Sequence, residues 1–187
     1  MTWPAQKGKE LEEPNQQARF EETMMPHLDA AYNLARWLTR NEHDAQDVVQ
    51  DAFLRAFKYF GGFHGGNSRS WLLSIVRNTA YTWLQKNRKQ ELATVPDEEM
   101  HDIEDTSSNP EVLLLNNSDR QEIRRAVEQL PVEFREVMIL RELEGMSYKE
   151  IAEMADVPIG TVMSRLARAR KQLQQSLGQR LQPGVSK

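Results

Sequence analysis

Apolar residues recur at intervals of three and four along most of the chain, the spacing of an amphipathic helix. The first series runs from Leu28 to Leu38, and a second runs from about Asp44 to Tyr59. The inward face of the second helix carries Ala45, Val48, Val49, Ala52, Phe53 and Ala56. No segment of useful length alternates with the period of two that a strand requires. The pattern predicts an all-α fold.

A glycine-rich turn over residues 61–67 separates the second helix from a third. We expect Ser68 or Ser70 to cap the third helix, because a serine oxygen accepts hydrogen bonds from the free N–H groups of a first turn. The inward positions of this helix are Leu72, Ile75, Val76, Thr79 and Trp83. Aromatic residues at helical spacing usually belong to a core. Trp71 is therefore predicted to be a core residue, and Trp83 is left open between the core and a stacking role.

Composition divides the 187 residues into two small helical domains, 18–89 and 119–178. Residues 1–17 and 179–187 are predicted to be flexible tails. Between Lys89 and Ser118 there are eight acidic residues and one basic residue. Such a segment buries too little apolar surface to offset the entropy of ordering, so residues 90–118 are predicted to be an acidic linker.

The second domain contains the pattern of a helix-turn-helix. Ser147 is predicted to cap a short helix that ends at Ala155, and a longer helix starts near Pro158. Asp156 and Val157 lie in the turn, with Val157 pointing inward. The inward stripe of the longer helix is formed by Val162, Leu166, Ala169 and Leu173. Two helices joined by so short a turn are typical of DNA-binding proteins.

The outward face of the longer helix is polar and basic. Although the net charge is −4, the chain from Gly160 onward has six basic residues and no acidic ones. A polyanion responds to this local field. The alternative is an ordinary helical hairpin with a solvated basic face. It is disfavoured because the turn residues, the spacing of the apolar positions and the one-sided charge all indicate a DNA-binding helix-turn-helix. The predicted DNA contacts are Pro158, Ile159, Gly160, Thr161, Ser164, Arg165, Arg168 and Lys171.

Three stretches of the chain resemble one family. They are similar to conserved segments of the extracytoplasmic-function (ECF) sigma factors. The stretches are residues 44–57 (DAQDVVQDAFLRAF), residues 70–78 (SWLLSIVRN), and the segment from Leu130-Pro131 through Glu144-Gly145-Met146-Ser147-Tyr148 to Arg170. The resemblance covers most of residues 20–178 in the family's order. It implies a promoter-specificity subunit of bacterial RNA polymerase.

The resemblance implies roles for two surfaces of the first domain. Its partner would be core RNA polymerase, through the β′ clamp helices and the β flap. The residues expected to bind core polymerase are Asp47, Gln50, Asp51, Leu54 and Arg55. The third helix and the loop before it would hold the melted minus-ten strand of promoter DNA, since cations grip the backbone while bases stack on aromatic rings. The residues expected there are Phe63, His64, Asn67, Ser68, Arg77, Asn78, Tyr81, Lys86 and Arg88.

Two positions depart from the family pattern. Thr82 stands where the family often has Asp, and Met163 stands where it often has Lys or Arg. Both departures predict an altered promoter preference rather than a loss of function. Met163 takes the place of a cation in the longer helix of the helix-turn-helix, the recognition helix. That cation would contact a phosphate or a base.

Other classes of function find little support in the sequence. The four histidines are scattered without ligand spacing, and the absence of cysteine excludes disulfides and thiolate metal sites. We therefore expect no catalytic residues, no cofactor, no metal and no small-molecule substrate. The longest apolar runs fall far short of the ~18 residues of a membrane span, which predicts a cytoplasmic protein without membrane insertion.

The family also implies an anti-sigma factor as a partner. A free-standing DNA-binding regulator is the remaining alternative.

Overall fold

The structure is a computed structural model that describes residues 13–93 and 114–180. Every regular element in these two ranges is helical, which confirms the all-α prediction. In chain order the helices are α1 (Glu13–Met24), α2 (Leu28–Thr39), α3 (Glu42–Tyr59), α4 (Ser68–Ala93), α5 (Leu114–Glu128), α6 (Val132–Met138), α7 (Tyr148–Ala155) and α8 (Ile159–Arg180). A π-helical turn, Ile139–Leu143, continues α6.

Four helix ends fall within segments that the sequence assigned to tails and linker, and one of them is the end of α8 at Arg180, in the predicted C-terminal tail. Helix α1 begins at Glu13, so the prediction of a flexible tail is wrong for residues 13–17. Phe20 and Met24 anchor this helix, because both are buried in the core. Helix α4 extends to Ala93 and α5 begins at Leu114, so both ends of the predicted linker are helical. The rest of the predicted tails and linker lies outside the described residues.

Helices α1 to α4 pack around one apolar core. Most of the predicted inward positions are buried, but Phe53, Ile75 and Trp83 are half-buried. Leu73 and Ala80 of α4 are buried although neither was predicted to face inward. The fully buried side chains of this domain include Met24, Leu34, Leu38, Val48, Leu72, Leu73 and Val76. Trp71 and Trp83 are half-buried and pack against this core, which confirms the prediction for Trp71 and places Trp83 there as well.

Asparagine side chains cap the two longest helices of the first domain. The Asn41 side chain accepts a hydrogen bond from the Asp44 N–H at 3.1 Å, so α3 starts two residues before the predicted Asp44. The Asn67 side chain accepts from the Ser70 N–H at 3.0 Å. The prediction that Ser68 or Ser70 caps α4 is therefore wrong. An asparagine oxygen satisfies the free N–H groups of a first turn as well as serine does.

The helix-turn-helix has the predicted caps. Ser147 and Glu150 form a reciprocal capping box at the start of α7, and the hydrogen bonds from Ser147 lower the pKa of the Glu150 carboxyl. Asp156 ends α7 with a left-handed backbone, φ 52°. Asp adopts this conformation more readily than most residues, which explains how the turn forms without glycine. Val162, Leu166 and Ala169 bury the inner face of α8.

The two domains pack against each other, and buried Arg135 lies at this contact. Its guanidinium donates to the Glu128 carbonyl at 2.6 Å, in its own domain, and to the Leu38 carbonyl of α2 at 3.4 Å. Burial, followed by repulsion from Arg40, lowers the pKa of Arg135 to about 10. The Leu38 carbonyl therefore links α6 to α2, while the Arg135 Nε is buried without a hydrogen-bond partner among the described residues.

Candidate nucleic-acid and partner-binding surfaces

The exposed face of α8 divides into an uncharged half and a basic half. Its first two turns expose Ile159, Gly160, Met163 and Ser164, with Thr161 half-buried beside them. Pro158 is exposed just before the helix. The following turns expose Arg168 and Lys171, and Arg165 is half-buried between the two halves. Seven of the eight residues that the sequence assigned to DNA therefore lie on one helix, and the eighth, Pro158, directly precedes it.

The cations in the basic half of α8 differ in whether they are paired within the chain. Among the described residues, no carboxylate oxygen lies within 4.0 Å of the cationic groups of Arg165, Arg168 or Lys171. Arg170 differs, because its guanidinium donates to the Glu142 carboxylate at 2.6 Å. Arg168 and Lys171 can therefore neutralise a phosphate without first losing an ion pair to a described residue.

Helix α3 presents a second exposed surface, which we call the α3 strip. It consists of Asp47, Gln50, Asp51, Leu54 and Arg55, all of which are exposed. Leu54 is 64% exposed within this strip. No cation of the described residues lies within 4.0 Å of the Asp47 or Asp51 carboxylate. Acidic side chains around an exposed leucine suit a basic partner surface.

The predicted minus-ten residues on α4 fall into two groups. Asn78, Lys86 and Arg88 are exposed and directed away from the core. Arg77 and Tyr81 are half-buried, and the guanidinium carbon of Arg77 lies 4.6 Å from the centre of the Tyr81 ring. Both of these side chains are engaged by the second domain rather than open to solvent.

The engaged pair meets Glu136 of α6. The Arg77 Nε donates to one oxygen of the fully buried Glu136 carboxylate, and the Tyr81 hydroxyl donates to the other at 2.7 Å. Burial and the neighbouring carboxylate raise the pKa of Tyr81, which remains a neutral donor. The Glu136 carboxylate therefore binds the side chains of two residues that were predicted to contact the minus-ten strand.

A second ion pair lies at the other end of the same contact. The Arg69 guanidinium pairs with the Glu144 carboxylate and also donates to the Glu144 carbonyl at 2.7 Å. Burial raises the pKa of Glu144, and the Arg69 charge opposes this shift. The Asn67 amide donates to Glu150 at 2.9 Å. The N-terminal half of α4 is therefore held by polar groups of the second domain.

The loop before α4 contributes the remaining predicted minus-ten residues. Phe63 is half-buried, its ring stacked 5.9 Å from Phe60 and tilted 5.0 Å from Trp71. Ser68 is bonded to the His27 ring at 2.9 Å, and His64 is exposed. Phe63 therefore supports the loop from the inside, while His64 and Asn67 lie on its outer surface.

Two family models match the two domains separately. The model of sigma-70 region 2 matches residues 23–90, and that of sigma-70 region 4 matches residues 120–173. The ECF RNA polymerase sigma-E factor of Escherichia coli strain K12 is 40% identical over 135 residues, which cover 68% of this chain and 71% of that protein. The chain belongs to the ECF sigma factors.

Another relative of this sigma factor is the ECF RNA polymerase sigma factor SigE of Mycolicibacterium smegmatis. It is 32% identical over 158 residues, or 84% of this chain, which spans 61% of that relative's length. Members of the family bind core RNA polymerase and promoter DNA. We call residues 23–90 region 2 and residues 120–173 region 4, after the two family models.

Solved structures share the fold of this sigma factor. The sigma factor RpoE of Bartonella quintana, solved in complex with the anti-sigma factor NepR, matches with a TM-score of 0.68 and 28% identity, covering 86% of this chain and 97% of that one. CnrH, solved with the cytosolic domain of CnrY, matches with a TM-score of 0.60 and 25% identity, covering 87% and 89%. Neither range of described residues contains a helix long and apolar enough to cross a membrane.

The contacts between regions 2 and 4 are the functional feature that sequence patterns missed. Helical spacing alone does not separate the buried Glu136 and Glu144 from exposed acidic residues nearby. Their partners, Arg77 and Arg69, are 59 and 75 positions away. The one available signal is that Glu136 adjoins the buried apolar run from Val137 to Leu140.

Proposed function

We propose that this sigma factor binds core RNA polymerase and directs it to promoters through two DNA contacts. Region 4 binds the minus-thirty-five duplex, and region 2 captures the melted minus-ten strand. The observation that carries the proposal is that two surfaces of opposite charge are exposed on one chain. These are the acidic α3 strip and the basic half of α8, where Asp47, Asp51, Arg168 and Lys171 form no ion pair with another described residue. One chain thus offers an acidic surface to a protein and a basic surface to DNA.

The minus-thirty-five contact is assigned to the exposed face of α8. A recognition helix places its first turns against base edges in the major groove, while more distant cations hold phosphates. Thr161, Ser164 and Arg165 lie where base contacts are made, and Arg168 and Lys171 lie where phosphates pass. The N–H groups at the start of the helix add a site for a phosphate at its positive end.

The minus-ten contact is assigned to α4 and the loop before it. Asn78 can pair with an unpaired base edge, and Lys86 and Arg88 follow it on exposed turns. His64, Asn67 and Ser68 lie at the other end of the same surface, with Phe63 supporting the loop. Arg77 and Tyr81 join this set once Glu136 has moved away.

Core polymerase is the partner proposed for the α3 strip. The acidic side chains suit the basic β′ clamp helices, and region 4 is expected to contact the β flap. Linking two weakly binding domains through one polymerase raises the affinity for a promoter that contains both elements. The polymerase supplies the chemistry, so the sigma factor itself needs no catalytic residues or cofactor. The proposed location is the cytoplasm, where the polymerase works.

An anti-sigma factor is the proposed regulatory partner. The sigma factor RpoE was solved in complex with the anti-sigma factor NepR, and CnrH, which has a similar fold, was solved with the cytosolic domain of CnrY. By analogy, such a protein would hold regions 2 and 4 away from polymerase. This sigma factor is expected to form an analogous complex.

The proposal is tested by mixing the chain with core RNA polymerase and separating the mixture by size. Co-elution, followed by promoter-selective transcription, is the expected result. A free-standing regulator would instead bind promoter DNA tightly alone and elute apart from core polymerase. That second pattern would contradict the proposed function.

A further inference from the structure

Two large apolar side chains are exposed at the start of the recognition helix. Ile159 is 45% exposed and Met163 is 52% exposed, although Val162 between them is fully buried. Residues four apart on a helix are neighbours on its surface, so Ile159 and Met163 form one apolar patch. Exposed apolar patches on soluble proteins commonly mark contact sites.

The residues around this patch indicate which kind of surface it contacts. Gly160, Ser164 and Ala167 are exposed beside it, and all three are small and uncharged. A Cβ added at Gly160 would meet no atom within 4 Å, so the space over this turn is open. The patch can therefore approach a surface closely without desolvating a charge. Lys171, about two turns after Met163 and exposed on the same side of the helix, attracts a polyanion towards the patch.

The major groove of DNA offers one apolar group to such a patch. Among the four bases only thymine carries a methyl group there, at C5, and the other base edges present hydrogen-bond donors and acceptors. Met163 has no strong donor to bind the guanine acceptors that Arg or Lys would bind. Its flexible, unbranched side chain can settle against a methyl group at several helix orientations.

We propose that Met163, supported by Ile159, is a specificity-determining residue that selects thymine in the minus-thirty-five element through contact with its methyl group. The inference rests on the proposed function, because it requires α8 to enter the major groove. It assigns a preference for thymine to Met163, which stands where the family often has Lys or Arg. It also accounts for an exposed apolar patch next to a basic surface.

The test replaces thymine by deoxyuridine, which lacks only the C5 methyl group. A minus-thirty-five element is first selected from random duplexes by the holoenzyme of core polymerase and this chain. Each thymine of the selected element is then exchanged in turn, and binding of the holoenzyme is measured. At one or two positions the Kd should rise about fourfold, the equivalent of one buried methyl group.

Three variants connect this effect to Met163. In M163A the difference between thymine and uracil should vanish at those positions, whereas M163L should keep most of it. K171A is the matched control: it should weaken binding to both duplexes equally and leave their ratio unchanged. Circular dichroism of each variant confirms that the helices are intact.

Several outcomes would overturn the inference. These are a selected element without thymine, equal binding of thymine and uracil duplexes at every position, and an undiminished difference in M163A. Weaker co-elution of M163A with core polymerase in the absence of DNA would assign the patch to a protein partner instead. All of these leave the proposed function standing. If the holoenzyme forms but selects no element, or if it does not form, the proposed function fails and the inference fails with it.

Discussion

The carboxylate of Glu136 in region 4 is ion-paired with Arg77 of region 2, and it also accepts a hydrogen bond from the Tyr81 hydroxyl at 2.7 Å. Both partners belong to the surface proposed for the minus-ten strand. A phosphate or base cannot use these side chains while Glu136 occupies them. Under the proposed function, the domain contact and full minus-ten binding are mutually exclusive, and we expect regions 2 and 4 to separate before a promoter is melted.

The first prediction concerns this ion pair. E136Q keeps the shape of the side chain but removes its charge, and we expect it to weaken the contact between the two regions by about 1.5–3 kcal/mol, the worth of a hydrogen bond to a charged group. Because the chain has no cysteine, single cysteines at Glu22 and Gln174 can carry a donor and an acceptor dye. Energy transfer between them should fall in E136Q.

The control for this measurement is E142Q. Glu142 pairs with Arg170 across an exposed surface, where an ion pair contributes little. Energy transfer in E142Q should match that of the unmodified chain. If E136Q also matches it, the Arg77–Glu136 pair does not hold the regions together.

The second prediction concerns pH. Burial, followed by repulsion from Arg69, lowers the pKa of His27, whose ring lies 2.9 Å from the Ser68 hydroxyl. The unfolded chain therefore binds a proton at higher pH than the folded one. The stability that His27 contributes is present above its usual pKa of about 6.5 and is lost as the pH falls through the lowered value.

The measurement is the Tm at about pH 7.5 and about pH 5.5 for the unmodified chain and H27Q. The decrease in Tm on acidification should be smaller in H27Q. H43Q, at an exposed position, should retain the full decrease. Equal decreases in H27Q and the unmodified chain would show that His27 does not couple folding to pH.

The third prediction concerns the α3 strip. D51R reverses a charge at its centre, so we expect co-elution with core polymerase to disappear while helicity stays the same. E22R makes the same change at an exposed position on α1 and should co-elute normally. Retained co-elution of D51R would place the polymerase contact on another face.

The fourth prediction concerns phosphate contact by α8. R168A should weaken minus-thirty-five binding uniformly across sequences and reduce the slope of log affinity against log salt by about one. R170A is the matched control, because Arg170 is already paired with Glu142. Its salt dependence should change less. An unchanged slope in R168A would rule out a phosphate contact at that residue.

Local patterns in the sequence were enough to predict the helices and two of the surfaces. The inner stripe of α8, with Val162 and Leu166 buried, fixes which residues face outward, and the same reasoning exposes Asp47 and Asp51 on α3. Asp156 was expected to lie in the turn, and it ends α7 there. Each of these features depends on residues a few positions apart.

Features that depend on distant residues could not be predicted in this way. The pairing of Glu136 with Arg77 joins two domains, and helical periodicity carries no information about such a contact. The start of α1 depends on Phe20 and Met24 reaching the core of the domain. One local feature was also missed, the capping role of Asn67, because two serines nearby offered equally suitable oxygens.

The most direct test of the central claim is to sequence the 5′ ends of transcripts made from genomic DNA by core RNA polymerase with and without this chain. If the chain is a promoter-specificity subunit, its addition should create a new set of start sites preceded by two shared sequence elements at a constant spacing. Identical start sites in the two reactions would contradict that role.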